Sequence, residues 1–119
     1  MDLYREEILE HWRSPQNWGV MPKADLIIDQ INPLCGDKVT FYFKVVDGKI
    51  KDVSFTGSGC AISIASSSML SAYIKGKSIK SLEKITGKKV LDLVGTSVTP
   101  ARLKCVFLPL EIIRKLKDN

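Results

Sequence analysis

The sequence has no C-x-x-C pair, so the paired-ligand pattern of zinc ribbons is missing. It has a single histidine, His11, which excludes sites built on several imidazoles. No apolar run approaches the ~18 residues that a membrane span needs, and no membrane association is expected. The opening, Met1-Asp2-Leu3-Tyr4-Arg5-Glu6-Glu7, lacks both the basic and the apolar region of a secretory signal, so a cytoplasmic location is expected. There are three cysteines, an odd number that suits a reducing compartment and disfavours a disulfide framework. Metal binding or thiol chemistry is the better reading. Basic residues outnumber acidic ones by five, yet no stripe of them is interleaved with aromatics, so nucleic acid is not an expected partner. The lysines between positions 75 and 89, with Arg114, Lys115 and Lys117, read as solvated faces, with an acidic protein as the next choice.

What is present suits one domain over residues 1–119 with one core: 119 residues, 45% of them apolar. Residues 2–13 read as a helix with Tyr4, Ile8, His11 and Trp12 on one face, stopped by Ser14-Pro15. A lone histidine beside Trp12 reads as packed or capping, not as a ligand. Residues 24–31 suggest a first strand. Lys38 to Val46 alternates cleanly, Asp47-Gly48 is a hairpin signal, and Lys49 to Thr56 returns. A two-residue turn pairs positions whose numbers sum to 95. A three-residue turn gives 96, which sets Phe41 against Phe55 and Phe43 against Val53 and matches the apolar faces better. Either register brings Cys35 and Cys60 within a residue of each other at the end away from the turn.

From Ala61 to about Lys75 the pattern is helical, with Ile62, Ala65, Met69 and Tyr73 as the buried stripe and Gly76 as the stop. Ser66-Ser67-Ser68 reads as a small polar flank that permits close packing. Ser78 to Ile85 reads as a short helix capped by Ser78 or Ser81 and ended by Gly87, followed by another from Lys88 to Val94. Thr99-Pro100 is a helix start, and one helix is expected from there to about Lys117. Its stripe of Leu103, Val106, Phe107, Leu110 and Ile113 leaves Cys105 pointing away, and Pro109 predicts a kink.

Cys60 lies in Gly57-Ser58-Gly59-Cys60, a tight corner between a strand and a helix start, a position that favours thiolate over thiol. A cysteine kept only for packing should lie on a core stripe, and these three lie beside turns or off the stripe. With Asp37 they form a set of three thiolates and one carboxylate. Such a set can complete a tetrahedron around zinc or hold the two irons of a [2Fe–2S] cluster.

Asn32-Pro33-Leu34-Cys35-Gly36-Asp37, Gly57-Ser58-Gly59-Cys60-Ala61-Ile62-Ser63-Ile64-Ala65-Ser66-Ser67-Ser68 and Lys104-Cys105 resemble the NifU N-terminal-like, or U-type, iron–sulfur cluster scaffold family. His11-Trp12-Arg13-Ser14-Pro15-Gln16-Asn17-Trp18-Gly19 resembles the loop after that family's first helix. The resemblance covers nearly the whole chain. It implies an α+β fold, a three-stranded antiparallel sheet with helices packed on one side and the metal site at one end of the sheet. It implies Cys35, Asp37, Cys60 and Cys105 as ligands, a transient [2Fe–2S] cluster or zinc as cofactor, and Cys35 or Cys105 as sulfur acceptor. The implied partners are a cysteine desulfurase and apo-proteins that receive clusters. A zinc-dependent sulfurtransferase and a structural zinc module are the alternatives.

Lys104 departs from the histidine of the Isc-type branch and is closer to the Suf-type branch, but the 44 residues between Cys60 and Cys105 leave no room for that branch's extra segment. The Isc-type chaperone motif would fall at Val98-Thr99-Pro100-Ala101-Arg102, where only Pro100 and a basic end remain, so a dedicated chaperone is not an expected partner.

Overall fold

The computed structural model describes residues 3–34, 36–95 and 98–117, the first three and the last of these as backbone. Helix α1 (Leu3–Arg13) is followed by strands β1 (Leu26–Asn32), β2 (Asp37–Val46) and β3 (Lys49–Ser58). Helices α2 (Ala61–Ile74), α3 (Gly87–Val94), α4 (Pro100–Val106) and α5 (Leu108–Lys117) come after them, with a 3-10 turn at Lys80–Lys84 between α2 and α3. The strands form one antiparallel sheet in the order β1-β2-β3, as the resemblance implied. Among the described residues, no helix is long and apolar enough to cross a membrane.

The hairpin contains both registers that the sequence allows. Asp47 and Gly48 have φ of 52° and 74°, the left-handed pair that a tight two-residue turn requires. Next to that turn, Val45 pairs with Ile50 and Val46 with Lys49. Beyond a bulge at Lys44/Val45, the pairing advances by one, to Lys44 with Asp52, Phe43 with Val53 and Phe41 with Phe55. The core requires this second register. Phe41, Phe43 and Phe55 are fully buried, and the Phe41 and Phe55 rings stack at 5.5 Å. Burying one such side chain contributes about 1.5–3 kcal/mol.

Helix α2 lies at the centre. Every residue from Ser63 to Ser71 is buried, which explains why a one-sided stripe describes it poorly: Ile62 and Tyr73 are only half-buried, while Ile64, Leu70 and Ile74 are core. The serine run packs closely, as expected, and does so as a buried contact surface. Ser67 and Ser71 donate back to the carbonyls of Ser63 and Ser68. Ser68 Oγ accepts from the Gln16 amide at 2.8 Å and meets His11 Nδ1 at 2.6 Å. His11 is thus a packed, hydrogen-bonded histidine, as expected, whereas Trp12 beside it is exposed.

The expected long C-terminal helix is two helices. Pro109 has no amide hydrogen, and the chain breaks at Phe107 so that Pro109 falls in the first turn of α5. The Ser66 hydroxyl crosses from α2 and donates to the Val106 carbonyl at the break, at 2.7 Å. Ser66→Ala should therefore lower the stability of the metal-free protein by about 1–3 kcal/mol, because a buried acceptor loses its donor. Urea unfolding midpoints check this. Gly87 opens α3 instead of closing the preceding turn, because Thr86 caps α3 by accepting from the Lys89 amide.

Candidate metal centre

Three of the four expected ligands come from three different elements. Asp37 is the first residue of β2, paired across to Asn32 at the end of β1. Cys60 is the N-cap of α2, directly after β3. Cys105 lies in the last turn of α4. One ligand atom from each lies within 4.8 Å of the others. Cys35 lies outside the described residues; its neighbour Gly36, with φ of 76°, donates its amide to the Asn32 carbonyl at 2.8 Å.

The corner at Cys60 is closely fitted. The Cys60 amide donates to Asp37 Oδ1 at 3.2 Å, so the carboxylate fixes the backbone of the thiol beside it. Ser63 Oγ donates to the Cys60 carbonyl at 3.0 Å and lies 3.8 Å from Cys60 Sγ. Gly59 has φ of 149°, and a Cβ there would collide with the Asp37 carboxylate. This glycine is therefore required by the close approach of Asp37 as well as by the turn.

Asp37 is 4% exposed and Cys105 5%, while Cys60 is half-buried. Cys105 thus does not point away from the interior, as a single straight helix would have it. The break at Phe107 gives α4 its own axis and turns Cys105 inward, toward Asp37 and Cys60. These three form the floor of an open cleft of about 370 Å³. Its rim carries Leu34, 76% exposed, and the exposed cations Arg102 and Lys104. Arg102 was read from the sequence only as the remnant of a motif. Its spacing of three from Cys105 puts both on one helix face, and that signal could have found it. Asn32 is buried and accepts from the Leu34 amide at 3.1 Å, which fixes the turn leading to Cys35.

A floor of two thiols and a carboxylate, with cations above it, suits a thiophilic cation. Two donor sulfurs and one oxygen match the requirement of zinc for tetrahedral ligands and fall one short of completing it. The sheet, the helices against it and this donor set drawn from three elements define a class of protein whose metal ligands meet only once the chain has folded.

The sequence matches the NifU-like N terminal domain over residues 3–116, and the chain belongs to that family. It is 37% identical to the zinc-dependent sulfurtransferase SufU of Bacillus subtilis, with 95% of this chain and 88% of that protein covered. That alignment runs over 130 positions, more than this chain possesses, so the relative carries residues with no counterpart here. It is 35% identical to the iron-sulfur cluster assembly scaffold protein IscU 1 of Archaeoglobus fulgidus, covering 95% of this chain and 73% of that one. Among solved structures, a Fervidobacterium islandicum AW-1 protein assigned as an iron–sulfur cluster assembly scaffold for the SUF system superposes with a TM-score of 0.77. It shares 28% identity, with 92% of this chain and 93% of that one covered.

Proposed function

We propose that the chain is an iron–sulfur cluster assembly scaffold. It accepts sulfur from a cysteine desulfurase, builds a [2Fe–2S] cluster on Cys35, Asp37, Cys60 and Cys105, and passes the cluster to apo-proteins. The observation that carries the reading is the convergence of Asp37, Cys60 and Cys105 within 4.8 Å at the floor of an open cleft. A purely structural metal site is closed and buttressed on all sides, and this one opens to solvent. Cargo that must leave needs such an opening.

The chain's own residues divide the work. Cys35 or Cys105 takes the incoming sulfur. Its thiolate attacks the outer sulfur of the desulfurase persulfide, the S–S bond breaks, and the desulfurase thiolate leaves; an external electron donor, such as a reduced ferredoxin, then supplies the two electrons that turn this sulfur into the sulfide of a cluster. Asp37 holds the Cys60 backbone in place and supplies a hard oxygen donor among soft sulfurs. Three thiolates and a carboxylate around a dication leave a formal charge of about −2, which Arg102 and Lys104 offset from the rim.

Lys104→Glu should accordingly lower retention of bound metal or cluster by about threefold to tenfold, while Lys23→Glu, with the same charge change on an exposed loop, should not. Chelator competition on the two variants checks this, and equal losses would remove Lys104 from the site. Lys115 is a poorer control, because its ammonium donates to the Asp29 carbonyl at 2.9 Å.

The second reading, a zinc-dependent sulfurtransferase, is favoured by the likeness to the Bacillus subtilis protein of that name. The same four ligands would hold zinc, and the chain would stop at the persulfide. Anaerobic reconstitution with ferrous iron, cysteine, a desulfurase and reduced ferredoxin as electron donor separates the two. A scaffold gains visible absorption, with iron and acid-labile sulfide in equal amounts. A zinc sulfurtransferase stays colourless and accumulates persulfide, which mass spectrometry of Cys35→Ala and Cys105→Ala assigns to one thiol. No colour and no persulfide would overturn both readings.

A further inference from the structure

The chain's whole formal excess of charge lies in one stretch. Residues 75–89 contain six lysines against Glu83 alone, and the rest of the chain balances twelve basic residues with twelve acidic ones. The fold gathers part of this stretch around one ring. The segment after α2 is fastened to the hairpin by Ile50 N to Lys77 O at 2.9 Å and Ile79 N to Gly48 O at 2.8 Å. Lys77 Nζ then stands 4.5 Å, and Lys89 Nζ 4.8 Å, from the centre of the Tyr73 ring. With Lys84 and Ser81 they line a cleft of about 390 Å³ that has no carboxylate in its walls.

Two further observations describe the charge around this cleft. Lys75 has a carboxylate partner, Asp52, at 3.3 Å, whereas among the described residues Lys77, Lys84 and Lys89 have none within ion-pair distance. The first turn of α3 carries Lys88 and Lys89 and no acidic residue, although the start of a helix favours negative charge. The Tyr73 ring draws Lys77 and Lys89 together, and no carboxylate in the cleft neutralises them.

We infer that this cleft binds a small polyanion with adjacent phosphoryl groups, either free pyrophosphate or the phosphate tail of a nucleotide. Lysine ammoniums are compact point charges suited to phosphate oxygens, and here three of them converge on one concave site. A nucleic-acid strand would instead call for a stripe that follows its backbone. The cleft lies at the C-terminal end of α2 and the thiols at its N-terminal end, about 20 Å apart along the helix. The anion therefore does not compete for the metal site.

The test is calorimetric titration of the full chain with pyrophosphate and, separately, with metal-free ATP. Saturable 1:1 binding is expected. Lys84→Glu and Lys89→Glu should each weaken it about fivefold or more, and Lys23→Glu should leave it unchanged. Equal affinity for the two probes identifies the phosphoryl groups alone as the ligand, and an ATP preference of about tenfold identifies a nucleotide. Both results support the site. Absence of saturable binding, equal weakening by all three substitutions, or binding of a poly-glutamate peptide without either phosphate probe would overturn it.

Discussion

Gly59→Ala is expected to lower metal affinity by at least about tenfold, the usual scale for disturbing the support of a ligand. Two effects act together. Alanine at φ of 149° is strained by about 1–3 kcal/mol, and its Cβ would collide with the Asp37 carboxylate. The carboxylate must rotate away, which removes one donor and the acceptor of the Cys60 amide at once. Gly48→Ala separates strain from collision. Gly48 also has a positive φ, 74°, but has nothing within 4 Å of a Cβ and lies at the hairpin turn. It should lose similar stability and keep its metal affinity. Zinc competition with a chromophoric chelator, with thermal unfolding alongside, reads both quantities. Unchanged affinity in Gly59→Ala would show that Asp37 is not a ligand.

Substitutions at Asp37 should change the rate of release most. A scaffold must surrender its cargo, and a carboxylate among thiolates is the weakest hold on an iron–sulfur cluster. Asp37→Cys is expected to retain the cluster longest and to pass it to an apo-ferredoxin at least about tenfold more slowly than the wild type. Asp37→Ala should still admit a cluster on three thiolates and an outside ligand, but transfer it more slowly, because the carboxylate that orients or deprotonates the recipient's incoming thiol is gone. It also leaves the Cys60 amide without its acceptor, a loss of about 1–3 kcal/mol. Circular dichroism follows transfer from each loaded variant under anaerobic conditions. Wild-type rates from Asp37→Cys would reduce Asp37 to a strand-end residue that only positions Cys60.

Much of this site could be read from the sequence because its parts sit on local signals. Asp47-Gly48 fixed the hairpin, the alternation of Val39, Phe41 and Phe43 fixed its inner face, and the glycines around Cys60 marked the corner. The strand expected over 24–31 forms at Leu26–Asn32, a shift of the usual size for strand ends. The misreadings have separate causes. Periodicity reports which face is buried only when another face is not. Helix α2 is buried at every residue from Ser63 to Ser71, so no single stripe describes it, and its serines bond to His11 of α1 and Val106 of α4. Cys105 was placed by treating residues 99–117 as one continuous helix, and the break at Phe107 cancels that phase. Asn32 acts through the Leu34 amide two residues on, a turn contact at a place read from the sequence only as a strand break, and Arg102 reaches the cleft from the helix face it shares with Cys105.

The bulge in the hairpin makes it a measuring device. The turn fixes pairing at one end by its two-residue geometry, the core phenylalanines demand a register one step further on, and Lys51 is the surplus residue that reconciles them. The distance from the turn to the corner at Cys60 is therefore counted in residues. Because side chains alternate faces, a deletion of one residue between Lys51 and Ser58 would send Phe55 to solvent or draw Cys60 out of step with Asp37. Removal of two would preserve the faces but shift the corner by about 6.6 Å, beyond the reach of a shared ion. Length changes should thus be excluded within the hairpin arms, whatever the sequence inserted or lost.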